Sequence, residues 1–104
     1  GSSVAYVASK GALNTMTLSL ARALAPTIRV NAVCPGLIET RWHMARFEPE
    51  AYAKFKQGYE NSVPLATVAS ADDVADAVVW LIEGARVVTG ELLKVDSGWH
   101  LGKL

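Results

Sequence analysis

Tyr6 and Lys10 are the first residues of this chain whose types and spacing carry chemistry. Four positions apart on a helix, they share one face, one turn apart. A phenol has an ordinary pKa near ~10 and is a poor base at neutral pH. An ammonium group held beside it favours the phenolate and draws that pKa down. A tyrosine tuned in this way can give a proton to a carbonyl oxygen or take one from an alcohol. Spacing alone is a weak signal, because this number of Tyr and Lys residues gives about 0.14 chance matches per offset. Tyr52 and Lys56 repeat the same spacing. Tyr52 shares a stripe with Phe55 on a segment that also carries Glu48, Glu50, Lys54 and Lys56. That second pair is expected to be packing plus a solvated lysine on an outer face.

The elements that must position Tyr6 and Lys10 follow from hydrophobic periodicity. Tyr6, Lys10, Leu13, Met16, Leu20 and Leu24 recur every three or four residues, which predicts a helix from about Val4 to Ala25. Pro26 ends it. Gly11 is a costly residue inside a helix, so a further reason for it is expected. The β-rich run Ile28–Val33 predicts a buried strand, stopped by Cys34-Pro35-Gly36. Leu37 to Glu48 has no steady period and reads as a loop, after which Pro49 opens a second helix to about Tyr59. Ser70 before Ala71-Asp72-Asp73 predicts a capped third helix with a Val74, Val78, Leu81 core stripe, closed by Gly84. Glu91 to Val95 reads as a last strand. The order helix, strand, loop with helix, helix, strand is an α/β pattern with a right-handed crossover between parallel strands. Such a pair has two faces to cover and two edges to pair, so the chain reads as the end of a larger doubly wound sheet.

Composition removes several function classes. The 104 residues are 51% hydrophobic and 19% charged, too apolar for a disordered chain. Ten Lys and Arg balance ten Asp and Glu, which leaves no basic footprint for nucleic acid or an anionic membrane surface. No apolar run approaches the ~18 residues of a membrane span. A single cysteine, Cys34, allows neither an internal disulfide nor a cysteine zinc site, and points to a reducing, cytoplasmic setting. The first residue is Gly1 and the first Met is Met16, so the chain is expected to be a piece of a longer one, with Gly1-Ser2-Ser3 either native loop or a scar.

Four stretches in order carry a resemblance. They are Tyr6 to Leu13 (Y-V-A-S-K-G-A-L), Ile28 to Thr40 (I-R-V-N-A-V-C-P-G-L-I-E-T), Asp72 to Ala75 (D-D-V-A) and Val88 to Gly98 (V-T-G-E-L-L-K-V-D-S-G). With their spacings they span nearly the whole chain and resemble the C-terminal part of the short-chain dehydrogenase/reductase family. The resemblance implies the C-terminal half of a Rossmann-type parallel sheet over residues 1–104, with a substrate lid over about 37–63. It implies hydride transfer between NAD or NADP and a small alcohol or ketone. Tyr6 would be the catalytic acid/base, and Lys10 would lower its pKa and hydrogen-bond the nicotinamide ribose. Pro35 and Gly36 would lie beside the nicotinamide, with the Ile38 backbone and Thr40 hydroxyl on its carboxamide or a phosphate. Arg41, Trp42 and Phe47 fall in the lid, and Arg41 and Trp42 are the substrate candidates. A homo-oligomer, dimer or tetramer, is implied, with Leu18 and Trp99-His100-Leu101 able to contribute to its contacts.

The departures from that family are specific. No glycine-rich phosphate loop occurs. Only five residues precede Tyr6, so Ser2 and Ser3 stand too close to serve as the family's catalytic serine, and neither Asn14 nor Asn31 matches its asparagine. Ser97 stands where the family usually has a second glycine. The chain alone is therefore expected neither to bind NAD(P) tightly nor to catalyse. Cys34 reads as a small buried thiol, and His43 and His100 have no partner at metal-ligand spacing. Two other functions stay open at this point: a non-catalytic interaction module, and an epimerase or dehydratase built on the same frame.

Overall fold

The structure, a computed structural model, describes residues 3–102. Gly1 and Ser2, two of the three residues read as loop or scar, lie outside the described residues. The chain divides into two compact units, Gly1–Ala32 with Trp80–Leu93 and Val33–Val79 with Lys94–Leu104. Its strands form two two-stranded sheets, β1 (Ala32–Pro35) beside β4 (Leu92–Val95), and β2 (Ile38–Glu39) beside β3 (Ala69–Ser70).

The first unit is built on helix α1, Val4–Leu24. Ser3 caps it, its hydroxyl accepting from the Tyr6 amide at 3.1 Å. The helix stops where Ala25, the residue before Pro26, turns to extended backbone. The span agrees with the expected helix; along it Leu13, Met16, Leu20 and Leu24 are exposed, while Thr17 and Ala21 are buried. The reason is close approach. A Cβ on Gly90 would sit 3.5 Å from that of Ala21, so the packed line of α1 is one of small residues. Thr17 tolerates burial because its hydroxyl donates to the Leu13 carbonyl at 2.9 Å. A Cβ at Gly11 would meet nothing within 4 Å, so packing within the described residues does not account for that glycine.

Residues 28–31 were expected in the first strand, but regular pairing begins only at Ala32 and runs through Pro35. The backbone before it is tied by a mix of main-chain and side-chain bonds, with the Val30 carbonyl accepting from the Gly90 amide at 2.7 Å. The Val30 amide donates to Thr89 Oγ1 at 3.1 Å, and the Asn31 side chain bridges the Val88 carbonyl (3.0 Å) and the Glu91 amide (2.9 Å). Arg29 turns its guanidinium to the end of helix α4, Ala71–Glu83. It donates to the carbonyls of Leu81 (2.7 Å), Ile82 (3.0 Å) and Ala85 (2.8 Å). The Leu81 and Ile82 oxygens belong to the last turn, which an α-helix leaves without partners, and Ala85 follows just after it, so one charged side chain closes the helix.

In the second unit, α4 begins with a reciprocal cap. The Asp73 amide donates to Ser70 Oγ (3.1 Å), while the Ser70 amide donates back to Asp73 Oδ2 (2.7 Å). The segment expected as a loop, Leu37 to Glu48, instead contains β2 and a short helix α2, Arg41–Met44. Strand β2 runs parallel to β3, with Ile38 opposite Ala69 and Glu39 opposite Ser70. Two-residue strands lie below what periodicity can reveal. Helix α3, Pro49–Ser62, runs three residues past the expected end at Tyr59. Val63 after it is fully buried, and Pro64 packs where a Cβ on Gly98 would stand 2.9 Å from its Cγ. The α/β class and the parallel pairing agree with the expectation. No helix among the described residues is long and apolar enough to cross a membrane.

Candidate functional site

Tyr6 stands in the first turn of α1, where the Ser3 cap fixes its backbone. Its ring is half exposed. The Lys10 ammonium, one turn on, lies 5.5 Å from the ring centroid. This is within cation–π range and sets a positive charge beside the phenol, as the spacing predicts. The structure brings these two residues together in the first unit.

The other candidates follow one another in the second unit. Pro35 ends β1 and is exposed. The Gly36 amide donates to the Val95 carbonyl at 3.1 Å. A Cβ on Gly36 would meet the Tyr59 hydroxyl at 2.5 Å and Asp96 Cα at 2.9 Å, so only glycine fits there. Ile38 lies in β2. Thr40 precedes α2 at the capping position, yet its hydroxyl makes no capping hydrogen bond; its carbonyl accepts from the amides of His43 (3.1 Å) and Met44 (3.2 Å). Arg41 and Trp42 are exposed on α2. Arg46, which the sequence did not single out, covers the Trp42 ring with its guanidinium 4.4 Å from the centroid. Trp42 meets His43 edge to face, and Phe47 stacks on Phe55 at 5.4 Å. Residues 42–55 therefore carry a cluster of rings edged by Arg46. His43 belongs to that cluster through Trp42 and Phe55.

Two further arrangements lie on α3. The Tyr52–Lys56 pair, expected as packing plus a solvated lysine, is corrected: Lys56 Nζ binds Glu39 Oε2 at 2.6 Å, and Tyr52 hydrogen-bonds the same carboxylate. The Lys56 hydrogen bond and charge hold the Glu39 carboxyl below its ordinary range against partial desolvation, and Glu39 in turn raises the Lys56 ammonium. Burial lifts the Tyr52 phenol, with the Glu39 charge adding to it. About a third of each partner in the ion pair faces solvent, so the pair is screened by salt and contributes little to overall stability. Tyr59 accepts from the Leu37 amide and donates to the Asp96 carbonyl, both at 3.2 Å, and its ring stacks on Trp99. Periodicity showed Tyr52 and Tyr59 as one stripe; what they touch lies on other elements and leaves no local trace.

Asp96, in the last motif, holds its surroundings through one carboxylate. It accepts from the Gly98 amide (3.0 Å), the His100 amide (3.0 Å) and His100 Nδ1 (2.8 Å). Burial pushes this carboxyl up, and the hydrogen bonds from His100 and Gly98 outweigh it, leaving it below the ordinary range. The Asp96–His100 spacing of one helical turn was a readable signal that the sequence reading passed over. No group of three or more metal-binding side chains occurs among the described residues.

A family model described as enoyl-(acyl carrier protein) reductase matches residues 1–100. The short-chain dehydrogenase/reductase homolog YusR of Bacillus subtilis is 44% identical over 101 residues, covering 97% of this chain and 73% of that protein. Dihydromonapterin reductase of Escherichia coli is 38% identical over 98 residues, 94% of this chain and 38% of that protein. A Streptomyces violaceoruber relative, 40% identical, is covered over 39% of its length. Among solved structures, ligand-free aldohexose dehydrogenase of Thermoplasma acidophilum superposes with a TM-score of 0.86 at 33% identity, over 93% of this chain and 41% of that one. 4-Hydroxyisoleucine dehydrogenase complexed with NADH superposes with a TM-score of 0.79 at 34% identity, over 95% and 40%. A small-chain dehydrogenase in complex with NADPH gives 0.77 at 34% identity, over 88% and 41%.

Proposed function

The chain belongs to the short-chain dehydrogenase/reductase family, and from that we propose that it is the C-terminal portion of an oxidoreductase acting on an alcohol/carbonyl pair with NAD or NADP. Residues 1–104 then form part of one cofactor-binding domain. The observation that carries this reading is the Lys10 ammonium held one turn from a half-exposed Tyr6 phenol.

Tyr6 is the acid/base. In reduction its hydroxyl gives a proton to the carbonyl oxygen, and in oxidation its phenolate takes the proton of the alcohol. Lys10 favours the phenolate through its charge and binds the ribose hydroxyls of the nucleotide. The fit to a nicotinamide is supported by two features: a turn at Gly36 that admits no side chain, and a Thr40 hydroxyl not spent on capping its helix. Pro35, Gly36, the Ile38 backbone and Thr40 hold the nicotinamide end. When bound, the nicotinamide supplies or accepts the hydride. Arg41 and Trp42, with the ring cluster behind them, contact the substrate. The working protein is a cytoplasmic homo-oligomer, a reading supported by exposed Leu18 on α1 and by exposed Trp99 and Leu101 in the tail.

Tyr6→Phe in the full-length protein tests the assignment. Turnover is expected to fall by about 10²–10⁴, the usual contribution of a positioned acid/base, while nucleotide affinity stays within about threefold, since the ring and Lys10 remain. Retained turnover would remove Tyr6 from the mechanism.

A further inference from the structure

Tyr52, Lys56 and Tyr59 follow one another at spacings of four and three, so they share one face of α3. All three reach the short segment that follows β1. Tyr59 takes the Leu37 amide proton on its hydroxyl oxygen and gives its own proton to the Asp96 carbonyl, both at 3.2 Å. Glycine at position 36 is what lets that hydroxyl come so near, since a Cβ there would stand 2.5 Å from it. Lys56 and Tyr52 hold the Glu39 carboxylate. The Tyr59 ring stacks on Trp99, centroids 5.5 Å apart and planes within 9°, which fixes the direction of its hydroxyl. Strand β2 itself has two residues, Ile38–Glu39, paired with β3. So short a ladder restrains a backbone weakly, and side chains at both ends of residues 37–39 supply the missing restraint.

We infer that helix α3 is a positioning clamp for the Gly36–Thr40 backbone, with the Tyr59 hydroxyl as its latch and the Lys56–Glu39 pair as its second grip. This rests on the assignment of that backbone to the nicotinamide. Tyr59 takes no proton from substrate; it acts through the Leu37 amide, which loses its acceptor when the hydroxyl is removed. The consequence is a link between the lid and the cofactor: whatever moves α3 also loosens the segment that holds the nicotinamide.

Tyr59→Phe in the full-length protein, titrated with NADH and NADPH by fluorescence, is the test. It keeps the ring on Trp99 and removes the hydroxyl alone. Nucleotide Kd and KM are expected to rise about tenfold, the scale of one net hydrogen bond, with a much smaller change in kcat at saturating nucleotide. Glu39→Gln breaks the partly exposed ion pair and is expected to raise the same Kd about twofold, an effect that fades at high salt. Unchanged affinity in both variants, while the unmodified protein binds nucleotide, overturns the clamp and leaves the nicotinamide assignment standing. A loss confined to kcat also overturns it. Failure of the unmodified protein to bind either nucleotide overturns the assignment, and the clamp with it. If Tyr59→Phe gives no cooperative melt, Glu39→Gln decides by the same criterion.

Discussion

Ser97 holds a backbone conformation that suits glycine. Its φ is +56°, in the left-handed region that a residue with a Cβ enters at a cost of roughly 1–2 kcal/mol. Its carbonyl accepts from the Leu65 amide at 3.1 Å, so the conformation is fixed by a bond between two turns. Ser97→Gly keeps that bond and removes the penalty, with part of the gain returned as unfolded-chain entropy. Stability is expected to rise by about 0.5–1 kcal/mol, read as a higher thermal midpoint; a lower midpoint would show that the serine side chain contributes more than it strains. At this scale the sequence was legible where both partners were near each other. Tyr6 and Lys10 are one turn apart on one helix, and Ser70 caps a helix that begins one residue later. Glu39 with Lys56, and Tyr59 with Leu37 and Asp96, join separate elements, and no spacing rule reaches across such separations.

The three long helices were read to within a few residues because Pro26, Pro49 and the Ser70–Asp73 cap write their ends locally, whereas the four-residue α2 was not read at all. Strands were read less well. The run Ile28–Val33 has strand composition, but pairing depends on what lies beside it, and at Val30 the amide goes to the Thr89 side chain while the carbonyl takes the Gly90 amide. The packed face of α1 is likewise beyond the reach of spacing. Periodicity finds the apolar stripe, whereas the packed face is set by which neighbour comes close, here the turn at Gly90. Arg29 belongs to this scale, since it ends a helix from outside it. Arg29→Met preserves the stem and removes the donors, and is expected to cost about 1.5–3 kcal/mol, the range for hydrogen bonds to a charged group. Urea unfolding of the variant checks this, and a change below about 0.5 kcal/mol would show the end of α4 to be held by Gly84 alone.

Across the molecule, apolar surface is left in water. Val4, Ile82 and Val87 are exposed at 87%, 66% and 82%, beside Leu13, Met16, Val79 and Trp80. The chain spans 38–39% of the dihydromonapterin reductase and Streptomyces relatives it matches and 73% of YusR. It has a Tyr–Lys pair and a Pro35-Gly36 turn but no glycine-rich loop at a helix start to cradle phosphates. The isolated 104-residue chain is therefore expected to show no micromolar heat of binding with NADH by calorimetry. A micromolar Kd would mean that the nucleotide is gripped at its nicotinamide end alone. The family was legible from motif order. The clamp on the turn was not, because it is assembled from α3, β2 and the residues after β4.

The Arg29 guanidinium has a kinetic meaning as well. Helix ends ordinarily fray on their own, each last turn opening without disturbing the rest. Here the carbonyls of Leu81, Ile82 and Ala85 are tied to a side chain whose neighbours Val30 and Asn31 are bound to Thr89, Val88 and Glu91. The last turn of α4 cannot peel away while that segment stays docked. The end of one helix and the approach to one strand are thus expected to open and close as a single cooperative unit, so that amide protons buried in either report one shared opening free energy in hydrogen exchange.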